Sequence, residues 1–192
     1  MAITRLNNNS ITSITALPSG ITTGSVLQVQ STLVDTTSTI SLSAYTGGTH
    51  TYNDITGVSV NITPSSNSSK ILLLARLTFE FSSNAHFNSL FTIRRGSNYV
   101  GIPASSEFGS NRPAGTMPPY TTLEDPIDSY SSPDAVNWFS LDSPNTNSEI
   151  TYQVCRIGVA STTMYLNRTV GNVDDTSYEI GTSEIVAIEI AG

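Results

Sequence analysis

Very few side chains in this sequence could carry chemistry: one cysteine, two histidines and fifteen acids. His50 and His86 lie in separate segments, with no partner one helical turn away and no cysteine beside them. A structural zinc site takes about three or four such ligands, so each histidine reads as a satisfied surface or core residue. Cys155 sits among strand-like residues and reads as a small core hydrophobe rather than a nucleophile. As the single cysteine it can form no intramolecular disulfide. The acids form two loop clusters, Asp174 with Asp175 and Glu124 with Asp125 and Asp128. Calcium is held by oxygen ligands from such loops, but neither cluster has the spacing of a calcium loop, so solvated acids are the simpler reading. A carboxylate pair for glycoside cleavage is defined by its separation in space, and a sugar cleft also leans on aromatic platforms, whereas Trp138 is the only tryptophan. Gly47, Gly48 and Gly96 read as turn glycines, without the strand–loop–helix setting of a phosphate loop. The expectation is a protein with no catalytic residues, no cofactor and no metal.

The elements that would position these residues are strands. Helical periodicity is almost absent, and period-two alternation recurs instead, the mark of half-buried strands. From Ile71 to Phe81, the residues Ile71, Leu73, Ala75, Leu77, Phe79 and Phe81 fall on one face, and Arg76, Thr78 and Glu80 on the other. Leu72 and Leu74 add apolar character to the second face, as expected of a central strand. The other predicted strands are 25–34, 39–45, 57–62, 86–95, 99–102, 135–141, 149–160, 163–170 and 183–190. Turn residues separate them at 64–69, 95–98, 142–145 and 171–175. About ten short strands with frequent turns predict an all-β fold, an antiparallel two-sheet sandwich of jelly-roll type. One domain suffices for 192 residues.

The ends of the scheme differ from its middle. Residues 1–24 form an extended N-terminal arm with sparse apolar pegs set in Asn, Ser and Thr, too few to make a core. Arg5, Leu6, Ile11, Ile14 and Leu17 are the residues with which such an arm would anchor to a partner: the arginine pairs with an acidic groove and the apolar pegs fill pockets. Residues 25–192 form the sandwich. Within them, the stretch 103–133 holds six of the nine prolines. Proline removes ladder donors, so this is a long loop and not a central strand. It reads as a partner- or neighbour-contacting loop, as a structural flap over the sheet, or as a disordered stretch.

Composition excludes several partners. The formal charge is −7 and Lys70 is the only lysine, so the chain cannot neutralise a row of phosphates or an anionic membrane. No run approaches the roughly 18 apolar residues of a spanning helix. The 29 serines, 26 threonines and 15 asparagines make a hydroxyl- and amide-rich surface. Four Asn-x-Ser/Thr sequons, at Asn8, Asn61, Asn67 and Asn167, follow from that composition alone.

The opening Met-Ala-Ile-Thr-Arg-Leu-Asn-Asn-Asn-Ser-Ile-Thr, with Leu17-Pro-Ser-Gly20, resembles the start of small structural proteins of marine bacteriophages, commonly described as tail-fibre or virion structural proteins. Similar stretches run through Ile55-Thr-Gly-Val-Ser-Val-Asn-Ile-Thr-Pro-Ser-Ser66, Ser69-Lys-Ile-Leu72, Leu141-Asp-Ser-Pro144, Tyr165-Leu-Asn-Arg-Thr169 and Ile188-Glu-Ile-Ala-Gly192. Nearly the whole chain except 103–133 is covered. The resemblance implies a virion component, made in the bacterial host cytoplasm and assembled on the particle exterior without secretion. It implies capsid or tail proteins as partners and no catalytic residues. A decoration or short-fibre subunit fits one compact module without repeats, and symmetric closure points to a homotrimer. The alternative is a receptor-binding carbohydrate module of a tail fibre, in which Tyr120, Tyr130 and Trp138 would stack on host surface glycans and loop acids would hold calcium.

Overall fold

The computed structural model describes residues 24–48, 50–82, 88–119 and 132–192. The chain is all-β, with ten strands: β1 (Val26–Val34), β2 (Ser38–Leu42), β3 (Asn53–Ile62), β4 (Lys70–Phe81), β5 (Ser89–Arg95), β6 (Asn98–Val100), β7 (Asp134–Asp142), β8 (Ile150–Gly158), β9 (Thr162–Leu166) and β10 (Ser183–Ile190). A short helix, α1 (Ser105–Phe108), lies between β6 and β7.

The strands form two antiparallel sheets, as alternation predicts. Sheet A follows the order β1-β10-β4-β9-β2, with β7 on β4; sheet B follows β3-β8-β5-β6. Strand β4 is the axis of sheet A. Its Ile71–Phe79 stretch pairs with β7, while β10 and then β9 share its opposite edge. Beyond them, β1 extends β10 and β2 extends β9. Successive strands repeatedly cross from one sheet to the other, the winding of a jelly roll.

The inward faces meet in one core. From sheet A come Ile71, Leu73, Leu77, Phe79, Met164 and Ile185, and from sheet B Ile55, Val60, Phe91, Ile93, Tyr152 and Val154. The sheets are also tied by polar contacts. Asp142 on β7 accepts from Arg95 Nε at 2.7 Å and from the Tyr152 hydroxyl at 2.7 Å, both on sheet B.

Two buried polar residues close the corners of sheet A. Asn167, directly after β9, has φ of 62° and is fully buried. Its Nδ2 donates to Val34 O at 2.8 Å and Thr36 O at 2.9 Å, and its Oδ1 accepts from Ser183 Oγ at 2.7 Å. Glu189, on the inward face of β10, is also fully buried. Its carboxylate accepts from Ser65 N at 2.7 Å and, each at 2.6 Å, from Ser65 Oγ, Ser69 Oγ and Gln28 Nε2. Burial pulls its pKa up, but these donors outweigh that and hold it below its ordinary value.

Candidate interaction surface

Each sheet has an outward face as well, and the chain treats the two differently. On sheet B, Cys155 and Ile157 of β8 and Thr92 of β5 point away from the core, yet all are fully buried. Their cover is the described part of the proline-rich loop, held down by aromatic residues of the β2–β3 connection. Tyr45 donates its hydroxyl to Ser110 O, Tyr52 donates to Ala114 O at 2.7 Å, and His50 Nε2 lies 2.6 Å from Arg112 O. The rings pack together: Tyr45 stacks on His50 at 4.9 Å, His50 meets the edge of Phe108 at 4.8 Å, and Tyr52 lies 3.8 Å from Tyr99. Farther along, Thr116 and Met117 run beside β5 and exchange backbone hydrogen bonds with Phe91. Gly115 permits that approach, because a Cβ there would lie 2.5 Å from Leu90 Cβ. The first half of the proline-rich loop is therefore a flap over the part of sheet B around Phe91 and Thr92.

The flap fixes the chemistry beneath it. Burial foremost, with the nearby Asp54 carboxylate, pushes the Cys155 thiol up to about 12, so it is neutral and inert at physiological pH. Burial, then the neighbouring Tyr99, raises Tyr52 well above its usual range. Arg156, next to Cys155 on β8 but pointing to the opposite face, is fully buried and donates to Ser89 Oγ at 2.8 Å, with its guanidinium over the Phe81 ring at 5.8 Å. Burial lowers its pKa to about 10. These groups are packed into the fold.

The outward face of sheet A is a different surface. Strand registers align it in three rungs. The first runs Leu141–Leu72–Ile188–Val29, the second Phe139–Leu74–Val186–Ser31, and the third Asn137–Arg76–Glu184–Leu33. Eight of these twelve side chains are large and apolar, and the only charges are one arginine and one glutamate on adjacent strands. Phe139 is 73 % exposed, Val29 and Leu33 each 55 %, Leu141 53 % and Leu74 39 %. A depression opens at its centre between Leu74, Arg76, Phe139, Glu184 and Val186. No described residue covers this face.

The predicted site residues are placed as follows. Trp138 corrects an expectation: it is 8 % exposed, on the inward face of β7, stacked on Phe91 at 6.1 Å. It belongs to the core and cannot present a sugar platform. Its Nε1 and the neighbouring Ser140 Oγ are buried without a hydrogen-bond partner among the described residues. Asp174 and Asp175 sit in an exposed turn, where Asp175 Oδ1 accepts from Ser177 N at 3.0 Å. No group of three or more potential metal ligands occurs among the described residues. Arg5, Leu6, Ile11, Ile14, Leu17, Tyr120, Tyr130, Glu124, Asp125, Asp128 and His86 lie outside the described residues. The arm's root is described: Gly24 N donates to Ala191 O and Ala191 N to Ser25 O, both at 2.8 Å, extending the β1–β10 ladder to the point where the arm leaves it.

The residues that sequence reasoning missed are those of the three-rung face. Their signal was present as apolar character on both faces of β4 and β10. No protein-family model matches the chain, and no curated protein matches it.

Proposed function

We propose that this chain is a non-enzymatic structural subunit of a bacteriophage particle, an exterior decoration or short-fibre protein. It assembles as a homotrimer in the host cytoplasm, and its N-terminal arm anchors it to capsid or tail proteins. The observation that carries this reading is the contrast between its two outward faces. One is partly covered by the chain's own flap. The other presents two largely apolar rungs beside a mixed third, a surface of the kind that marks protein contacts rather than small-molecule chemistry. The resemblance of the arm and of five later stretches to marine phage structural proteins supplies the setting. The arm's root supports an anchoring role, because pairing of Gly24 with Ala191 transmits any grip on residues 1–23 into the edge of sheet A.

The test is a deletion of residues 1–23, expressed in place of the full chain during particle assembly. The expected truncated domain is folded, soluble and missing from purified particles. Its normal incorporation would overturn the anchor. Reconstruction of intact particles then places the full chain on the capsid or the tail, and its absence from both would end the virion reading.

A further inference from the structure

We infer that the three-rung outward face of sheet A is where copies of this chain contact one another. The inference deepens the assembly reading and rests on its self-association component. It supplies the surface that the trimer requires.

Three observations select a copy of the same chain as the occupant. The first is charge. The chain carries −7 overall, which opposes association of like molecules, yet this face has an arginine and a glutamate in one rung and no excess of acid. Arg76 and Glu184 face each other across β4 and β10 without an ion pair between them, Arg76 donating instead to Thr182 Oγ1 at 2.8 Å. A face that holds one of each sign side by side is complementary to itself. Around a threefold axis, Glu184 of each copy can meet Arg76 of the next copy and Arg76 the Glu184 of the copy before, a head-to-tail pairing that closes a ring.

The second is shape. The rungs cross four strands about 4.8 Å apart and span five residues along each, roughly 17 Å, a strip on the order of 300 Å². Contiguous exposed patches of a few hundred Å² often serve as contact surfaces. The third is the contrast with sheet B. There the sequence supplies Tyr45, Tyr52 and the 104–117 flap to cover the outward face, whereas no described residue does this for sheet A.

The test is sedimentation equilibrium of the full chain and four variants: Phe139→Glu, Arg76→Glu, Glu184→Arg and the Arg76→Glu/Glu184→Arg double variant. Val173→Glu, in the exposed 171–177 turn, is the control. All sites are on the surface, and circular dichroism checks that each variant is folded. The full chain is expected to associate. Phe139→Glu should weaken association by about a hundredfold or more, since it buries unpaired charge. Each single charge change should weaken it, the double variant should restore it, and Val173→Glu should leave it unchanged. A monomeric full chain overturns the proposal. So does an oligomer indifferent to Phe139→Glu, which would leave self-association standing on another surface. If the chain without residues 1–23 associates while the full chain does not, the arm covers this face and the inference fails. Incorporation into particles is scored separately, so failure of the virion reading does not mimic any of these outcomes.

Discussion

The hydroxyl of Tyr152 donates to Oδ2 of Asp142 at 2.7 Å, and this bond joins the two sheets. Tyr152 is fully buried on β8 of sheet B, while Asp142 ends β7 at the edge of sheet A. Arg95 reaches the same oxygen from β5 at 2.7 Å. The carboxylate thus serves two donors from sheet B, so removing it and removing one donor are unequal changes. Tyr152→Phe should lower stability by about 1 kcal/mol, since Asp142 keeps Arg95. Asp142→Ala should cost about 3 kcal/mol, because it strands a partly buried guanidinium and a buried hydroxyl. Urea titrations of both single variants and the double variant check this, and the double should cost less than the sum of the singles.

Glu189 sets a pH dependence. Its folded-state pKa lies below its ordinary value of 4.5, because the hydrogen bonds from Ser65, Ser69 and Gln28 outweigh the opposing effect of burial. A depressed carboxylate contributes stability above the unfolded pKa and loses it as pH falls through the folded one. Stability of the native chain should therefore fall as pH drops below about 4.5. Glu189→Gln should be less stable at pH 7 and show a flatter acid limb, measured as the melting midpoint between pH 3 and pH 7. An unchanged acid limb would remove Glu189 as the titrating group.

Asn167 fills a position that takes both its backbone conformation and its amide. A φ of 62° disfavours most side chains, and three side-chain hydrogen bonds hold the β1–β2 turn to β10. Asn167→Ala should cost about 3 kcal/mol. Asn167→Gly relieves the backbone but not the lost bonds, and should recover about 1 kcal/mol of that loss. Chemical denaturation of the pair separates the two contributions.

Cys155 reports on the flap. It is fully buried on the flap side of β8, beside Tyr52, one of the flap's anchors, with its pKa pushed up to about 12 by burial and by Asp54. A thiol reagent at pH 8 should leave the folded chain unmodified and label it at the rate of global unfolding. Labelling much faster than unfolding would mean that the flap lifts on its own.

Much of this architecture is written in the sequence, and its omissions have physical causes. Period-two alternation placed every strand within a few residues, because each strand has one face on a shared core. The predicted strand 163–170 stops at Leu166 because Asn167 turns the backbone out of the sheet. Strand β3 begins at Asn53, before the predicted Gly57, because a bulge between Asp54 and Ser59 puts buried Ile55 and Val58 three residues apart and hides the alternation. In β7 both faces carry large apolar residues, Val136 and Trp138 on one, Phe139 and Leu141 on the other. Alternation separates those faces but does not say which is inside, so Trp138 was read as a platform while Phe139 is the exposed ring. Leu72 and Leu74 marked β4 as a central strand, which it is, while the face they lie on is open. The flap was illegible for another reason: its anchors join Tyr45 and Tyr52 to carbonyls more than sixty residues away.

The pairing of Gly24 with Ala191 has a mechanical meaning. Strands β1 and β10 are antiparallel, so residues 24 and 191 lie at the same end of their ladder. Tension applied between them opens one rung at a time, starting at Val26 opposite Ile190, and meets low resistance throughout. Tension applied between residue 24 and the far ends of the neighbouring strands loads many rungs together in shear. If residues 1–23 are the tether, as proposed, a pull on the far ends of the neighbouring strands loads the second geometry. The edge that peels like a zipper in one direction therefore bears load along the other.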